Sequence, residues 1–368
     1  MRVADEMRGR ELENFLKLSL VKGVGYKFLR EFYDTFGTFG GNFEENLQRF
    51  LKEKGSSKRL AEILTQLKAG NGFSELWTFI KRFNVEVIPF YDPRYPRELE
   101  TLGVSAPALY LMGELSKNGF AIVGTRRASA EGKFKTREFA AELAGNGYTV
   151  ISGGAEGIDR TAHAGALSVG GKTGVILGEG LAVFLKRNGD FARKVLKRGG
   201  FILSQFHPLT VGAKWTYPQR NALIAYFGFY GTLIVEAPER SGALITADYA
   251  LKLKRPLFVY LNCVRNPLYA GNLKLIKECK AKLVTEPGEI LSSIGGENPP
   301  TEESKSEGIA AGSGDENRLV EVLREKPRTF DELVALVGLS EEKLLEQLTL
   351  LELDGKVFQE GGFYRWVD

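Results

Sequence analysis

Phe120-Ala121-Ile122-Val123-Gly124-Thr125-Arg126-Arg127-Ala128-Ser129 passes from an unbroken apolar run into small and basic residues. Thr149-Val150-Ile151 followed by Ser152-Gly153-Gly154-Ala155-Glu156-Gly157-Ile158-Asp159 makes a similar change. Each stretch then enters a helix-like pattern. That is the form of a buried strand whose end opens onto a helix N-terminus, where backbone N–H groups attract phosphate. A nucleotide or nucleic-acid phosphate is the first ligand these loops imply.

The alternation continues outward. Apolar runs at Phe120–Val123, Thr149–Ile151, Thr173–Leu177, Phe201–Leu203, Thr232–Val235 and Pro256–Leu261 are separated by helix-length segments. Continuous apolar strands between helices predict a parallel sheet covered on both faces. Phe139, Ala140, Leu143 and Ala144 share one helical face, as do Ala243, Ala247, Ala250 and Leu251. The predicted fold is α/β: a doubly wound, mostly parallel core over residues 118–292.

Other segments flank this core. Residues 1–70 predict a helical domain of the helix-hairpin-helix or SAM-like kind, with Lys22-Gly23-Val24-Gly25 between two apolar-periodic pieces. Its glycines either present turn amides to a phosphate or only let two helices cross closely. Residues 71–117 form a connector, with one strand at Val85–Ile88 and turns at Asp92-Pro93 and Tyr95-Pro96. Residues 293–314 are rich in Pro, Gly, Ser and Glu and suit a solvated linker. Residues 315–368 predict a winged helix: a helix at Leu319–Arg324, a capping box at Thr329-Phe330-Asp331-Glu332, a third helix from Ser340, and a hairpin of Lys356–Phe358 with Phe363–Trp366.

At 368 residues the chain predicts two or three domains. With two cysteines, no CxxC pair and two histidines, neither a zinc site nor a disulfide framework is expected. No cofactor is called for. The first residues are charged, and no apolar run is long enough to cross a bilayer, so a cytoplasmic protein without a membrane partner is expected. The net charge of +4 conceals a division: residues 315–368 carry −6 and residues 295–314 carry −3, which leaves +13 for residues 1–294. A polyanion should favour the front of the chain and avoid its tail.

Candidate ligand groups lie at the strand ends. Gly124 lets a phosphate approach the backbone, Arg126 forks onto its oxygens, and Ser129 caps the helix or bonds the ligand, with Thr125 and Arg127 beside them. Gly153, Gly154 and Gly157 open a concavity of amides. Asp159 and His163 are either an acid–base pair or a helix cap and a packing histidine, and no activated nucleophile stands beside them. In Lys214-Trp215-Thr216-Tyr217-Pro218-Gln219-Arg220-Asn221, bases can stack on Trp215 or Tyr217 while Arg220 holds the backbone. The alternative is an aromatic lid with Arg220 in a structural pair. Ser241 and Gly242 offer a hydroxyl and close amides, whereas Glu236 either orders neighbouring loops or acts as a base. In open α/β sheets ligands gather at this edge.

Taken in order, these motifs resemble the DNA-processing protein A (DprA, or Smf) family. The matching residues are Ile122-Val123-Gly124-Thr125-Arg126 with Ala128-Ser129, Ser152-Gly153 with Gly157-Ile158-Asp159 and Ala162-His163, and Pro218-x-Arg220-Asn221. Val235-Glu236-Ala237, Ser241 to Ala247, and Gly271-Asn272 complete the set. The resemblance implies an extended Rossmann-like core that binds single-stranded DNA without catalysis, loads the RecA recombinase onto it in natural transformation, and forms a homodimer through the core. It further implies that Arg126 is the main phosphate contact, that Gly124 and Ser129 shape its loop, and that Arg220 and Asn221 sit at the pocket rim.

The chain also departs from the family. Glu156 stands where many members carry a basic residue, and a carboxylate repels phosphate unless Arg160 or Lys133 substitutes. The family's Tyr-Pro is absent around Leu181–Phe184, its Ser-Glu is Ser204-Gln205, and the second arginine of its Arg-Asn-Arg is Ala222.

Two other functions compete. A nucleoside-phosphate hydrolase of the lysine-decarboxylase-like Rossmann group would use Gly231-Thr232 and a following glutamate, but Phe229-Tyr230 do not supply that group's Pro-Gly-Gly. A duplex-DNA regulator would read through its winged helix, yet Ser340-Glu341-Glu342-Lys343 makes an acidic start for a major-groove helix.

Overall fold

The computed structural model describes residues 2–54, 57–70 and 72–295, and then 319–320, 322–324, 326–337, 344, 348, 351, 357–360 and 363–366. The chain divides into two compact units, Met1–Thr301 and Glu302–Asp368. Five helices lead the first: α1 (Arg2–Ser19), α2 (Tyr26–Phe36), α3 (Phe43–Glu53), α4 (Ser57–Ala69) and α5 (Phe73–Arg82). Then come β1 (Glu86–Pro89), α6 (Glu98–Thr101), β2 (Ala108–Gly113), β3 (Gly119–Val123), α7 (Ala130–Gly145), β4 (Thr149–Ser152) and α8 (Ile158–Ser168). The unit continues through β5 (Thr173–Leu177), α9 (Leu181–Lys197), β6 (Phe201–Ser204), α10 (Thr216–Phe227), β7 (Thr232–Ile234) and α11 (Ala243–Lys252). It closes with β8 (Leu257–Tyr260), α12 (Ala270–Lys277), β9 (Lys282–Val284) and α13 (Pro287–Ile294).

These strands form one nine-stranded sheet in the order β1-β2-β6-β5-β4-β3-β7-β8-β9. From β6 to β9 every neighbour is parallel, while β1 and β2 add antiparallel strands at one end. All six apolar runs of the sequence are central strands, and β3 to β8 are buried at every position. The chain winds from β3 towards β6, then crosses to β7 on the other side of β3. The crevice beyond the ends of β3 and β7 is therefore the switch point at which such sheets bind ligands.

The segment expected to be a connector instead extends the sheet. Ala108–Met112 is buried in β2, which pairs with both β1 and β6. The helical front joins the same unit through an aromatic cluster. Phe15 meets Phe39 at 5.2 Å and Tyr91 at 5.5 Å, and Tyr33 stacks on Tyr91 at 4.9 Å. In the Leu20–Gly25 turn Val21 and Val24 are buried, and the Lys22 N–H donates to Gln66 Oε1 at 2.9 Å. These contacts favour a packing role for that turn over a phosphate-binding one.

In the second unit β10 (Arg328–Thr329), β11 (Val357–Glu360) and β12 (Phe363–Trp366) make an antiparallel sheet in the order β10-β12-β11 beside a helix at Phe330–Val337. The capping box forms as predicted: the Thr329 N–H donates to Glu332 Oε2 at 2.9 Å, and the Glu332 N–H to Thr329 Oγ1 at 3.4 Å. Leu319, Leu323, Leu333, Leu344 and Leu348 are buried around it, giving the winged-helix arrangement. The predicted linker begins two residues too early, since Ser293 and Ile294 close α13; its remainder from 296 and the predicted helix start at Ser340 lie outside the described residues.

Candidate nucleic-acid interface

Two cavities open side by side at the C-terminal edge of the sheet. The first, about 370 Å³, is lined by the β3–α7 loop, by α10, and by the β7–α11 loop. The second, about 330 Å³, lies against the loops after β4 and β5 and against α9. Arg126, Ala155 and Tyr217 line both. The exposed Arg126 guanidinium stands over the Tyr217 ring, 5.0 Å from its centroid, and Arg220 lies 6.0 Å from the same centroid. Tyr217 thus holds Arg126 at the junction by a cation–π contact without neutralising it.

The backbone of the first loop differs from the expected phosphate cradle. The Thr125 N–H donates to the Glu236 carbonyl at 2.7 Å, and the Ser129 N–H donates to Glu236 Oε2 at 2.9 Å. Ser129 Oγ donates to Glu236 Oε1 and accepts from the Gly132 N–H at 2.9 Å, capping α7. A fully buried carboxylate of the protein itself thereby occupies the α7 N-terminus. Glu236 is the loop-ordering residue of the two alternatives. Gly124 is packed tightly too, since a Cβ there would stand 2.5 Å from Ile158 Cγ1. Gly124 thus serves close packing between loops on its Cα side while its backbone borders the first cavity.

The second loop repeats this solution. Asp159 is buried and bonded by the N–H groups of Gly153 and Ala155. Burial raises its pKa, and the Arg220 charge and those N–H groups oppose the rise. Arg220 is itself buried at the cavity wall, where Nη1 donates to the Gly153 carbonyl at 2.7 Å and also to that of Ile176. A Cβ on Gly153 would stand 2.2 Å from this guanidinium. Arg220 was expected at the rim; it is a buried strut because two carbonyls and Asp159 face it. Asn221 ties α10 to the β7–α11 loop, Nδ2 donating to the Gly242 carbonyl at 3.1 Å. Gly157 is likewise structural, with the next amide, Ile158 N–H, donating to the Thr125 carbonyl at 3.2 Å.

His163 is a packing residue. Its Nδ1 lies 2.7 Å from Thr173 Oγ1, whose own hydrogen goes to the Val150 carbonyl, so Nδ1 carries the proton. Burial holds its pKa down at about 3. It is neutral and is no partner of Asp159 in acid–base chemistry.

Of the predicted ligand groups, the structure gathers Gly124, Thr125, Arg126, Arg127, Tyr217, Arg220, Asn221, Ser241 and Gly242 around the first cavity. Gly153 and Gly154 line the second. Ser129, Gly157, Lys214 and Trp215 line neither; Trp215 is exposed and stands edge-on to Phe206 at 5.8 Å. Sequence reasoning missed Arg240 in the first cavity and Glu179, Arg187 and Asn188 in the second. Gly178-Glu179-Gly180 directly after β5 was the available signal. Arg160 does reach the second cavity, whereas Lys133 reaches neither. Arg160 Nε donates to the Gly154 carbonyl at 3.1 Å and Nη2 to Asn188 Oδ1.

The family described as DNA recombination-mediator protein A matches residues 86–295, which span the sheet and both cavities. The chain belongs to this family. A DprA winged helix domain matches residues 299–362. Among DprA/Smf relatives, protein Smf of Synechocystis sp. is 28% identical, the match covering 97% of this chain and 98% of that one. The structure of DNA processing protein A from Streptococcus pneumoniae superposes with a TM-score of 0.61 at 26% identity, covering 76% of this chain and 98% of its own. That of DprA from Helicobacter pylori, described by its single-stranded DNA binding mode, gives a TM-score of 0.50 at 25% identity, covering 57% of this chain and 95% of its own.

Proposed function

We propose that this DprA-family chain binds single-stranded DNA along the paired cavities, without catalysis, and loads the RecA recombinase onto it in natural transformation and recombination. The observation that carries the binding step is Arg126, exposed at the junction of the cavities and mounted on Tyr217. Among the described residues it has no carboxylate partner, and the same holds for Arg127 and Arg240 in the first cavity. Phosphate is then held chiefly by guanidinium groups, because internal carboxylates occupy the loop amides. The phosphate-held part of that affinity is salt-sensitive and carries no sequence preference of its own. RecA loading, a homodimer formed through the core and a cytoplasmic location are proposed on the family's pattern; no helix among the described residues is long and apolar enough to cross a membrane.

The test is a comparison of single- and double-stranded oligonucleotides across a salt series. Preference for the single strand, with a steep salt slope, supports the reading; equal binding of duplex points to the winged helix. Acceleration of RecA nucleation on the same strands tests the loading step. The hydrolase alternative needs Glu236 as a base, but that carboxylate is fully buried and lines neither cavity. Base release from nucleoside monophosphates that Glu236→Gln abolishes would reverse this choice.

A further inference from the structure

The second cavity differs from the first in its chemistry. Glu156 and Glu179 both line it, and its two additional arginines are already engaged. Arg187 is paired with Glu179, and Arg160 is bonded to the Gly154 carbonyl and to Asn188. A second phosphate would meet two carboxylates there and little uncommitted positive charge. Glu179 is held in place: its backbone carbonyl accepts from Ser204 Oγ at 2.7 Å, and its side chain is 11% exposed. Oε2 accepts from Arg187, while Oε1 has no partner among the described residues. Leu177, Phe184 and Tyr217 supply apolar and aromatic wall around it.

We infer that the second cavity is a base pocket in which Glu179 selects guanine over thymine. This rests on the single-strand reading above. A phosphate at Arg126 places the adjoining nucleotide at the shared wall, and a base can turn into the neighbouring cavity. Guanine offers an imino N–H and an amino group side by side, which one carboxylate accepts together. Thymine offers one N–H between two carbonyls, and those carbonyls face carboxylate repulsion. Adenine has an amino group beside a ring acceptor, so it stacks comparably but lacks the donor pair. Glu156 at the rim adds to the negative potential and disfavours a phosphate at this position.

The measurement is the affinity of the full chain for oligonucleotides of repeating TTT, TTG, TTA and TTI (I, hypoxanthine), at one salt concentration. The expected result is about tenfold tighter binding of the guanine series than of the thymine series. Adenine and hypoxanthine, which lacks the amino group, should fall well short of guanine. In Glu179→Gln the guanine-to-thymine ratio should approach one. Equal affinity for guanine and thymine in the unaltered chain overturns the inference, and so does adenine matching guanine, which would show stacking alone. A ratio that survives Glu179→Gln overturns the role of Glu179. If every series binds equally but weakens in Arg126→Ala, only the base reading falls. If no series binds, the single-strand reading falls with it.

Discussion

The two cavities are neighbours, share Arg126 and Tyr217, and still differ in what their charges are free to do. In the first, Arg126, Arg127, Arg220 and Arg240 face a single carboxylate, that of Asp159, which is buried and under the influence of the Arg220 charge. In the second, Arg160 and Arg187 are tied to protein oxygens and stand beside Glu156 and Glu179. A count of basic residues would rate the two similarly. The difference lies in pairing: a guanidinium bonded to carbonyls or a carboxylate builds a wall, and an uncommitted one binds an anion. The loop amides teach the same lesson, since Glu236 and Asp159 fill the sites that strand-end glycines appeared to offer to phosphate.

The comparison can be broken most severely at Arg220. Arg220→Met leaves buried Asp159 without its counter-charge and two carbonyls without a donor, so unfolding stability should drop by about 3–5 kcal/mol in a denaturant titration. A variant of unchanged stability with weakened DNA affinity would return Arg220 to the ligand site. Arg126→Ala should do the reverse. Its stability should hold, while affinity for oligo-dT falls about tenfold or more, on the scale of one charge-assisted hydrogen bond, and the salt slope decreases by about one. Unchanged affinity and slope would remove Arg126 from the interface.

His163 provides a test by pH. Its pKa in the folded protein is about 3, below the ordinary 6.5, so the unfolded chain takes up a proton that the folded one refuses. This contribution is fully present above the ordinary value and is lost as pH falls below it, by roughly 1.4 kcal/mol per pH unit. Asp159, with its raised pKa, acts in the opposite sense in acid, so the comparison is with His163→Leu. Thermal melts of that variant should show a flatter decline between about pH 6 and pH 4; an identical decline would mean that His163 is accessible to protons. The smallest effect is expected from the acidic tail. Deleting residues 300–368 should leave single-strand affinity intact or raise it slightly. A large loss would locate binding on the winged helix.

Much of the fold was legible because β3 to β8 are buried on both faces, which makes each a continuous apolar run. β9 was not, being a three-residue edge strand with Lys282 and Leu283 exposed. β2 escaped notice although Ala108–Met112 is apolar, because it precedes the strand–helix alternation and joins the sheet antiparallel. In the site, the loops and Arg126 were legible from glycine and arginine placement after strands. Glu179, Arg187 and Asn188 were not, since the Tyr-Pro expected in that region is replaced and the three residues converge only across a loop and the kinked helix α9.

The sequence by itself determined the six central strands, their alternation with helices, the small and basic loops at their ends and the division of charge between front and tail, because burial period and charge count are local properties of the chain. Only the tertiary structure decided which of those polar groups remain available. Ser129 meets Glu236 across 107 positions, and Arg220 meets Gly153 across 67, so their pairing is invisible to any local pattern. Buried donors and charges must find partners, and in this protein that requirement turned two apparent phosphate cradles into packing joints and left the guanidinium on Tyr217 without a carboxylate partner among the described residues.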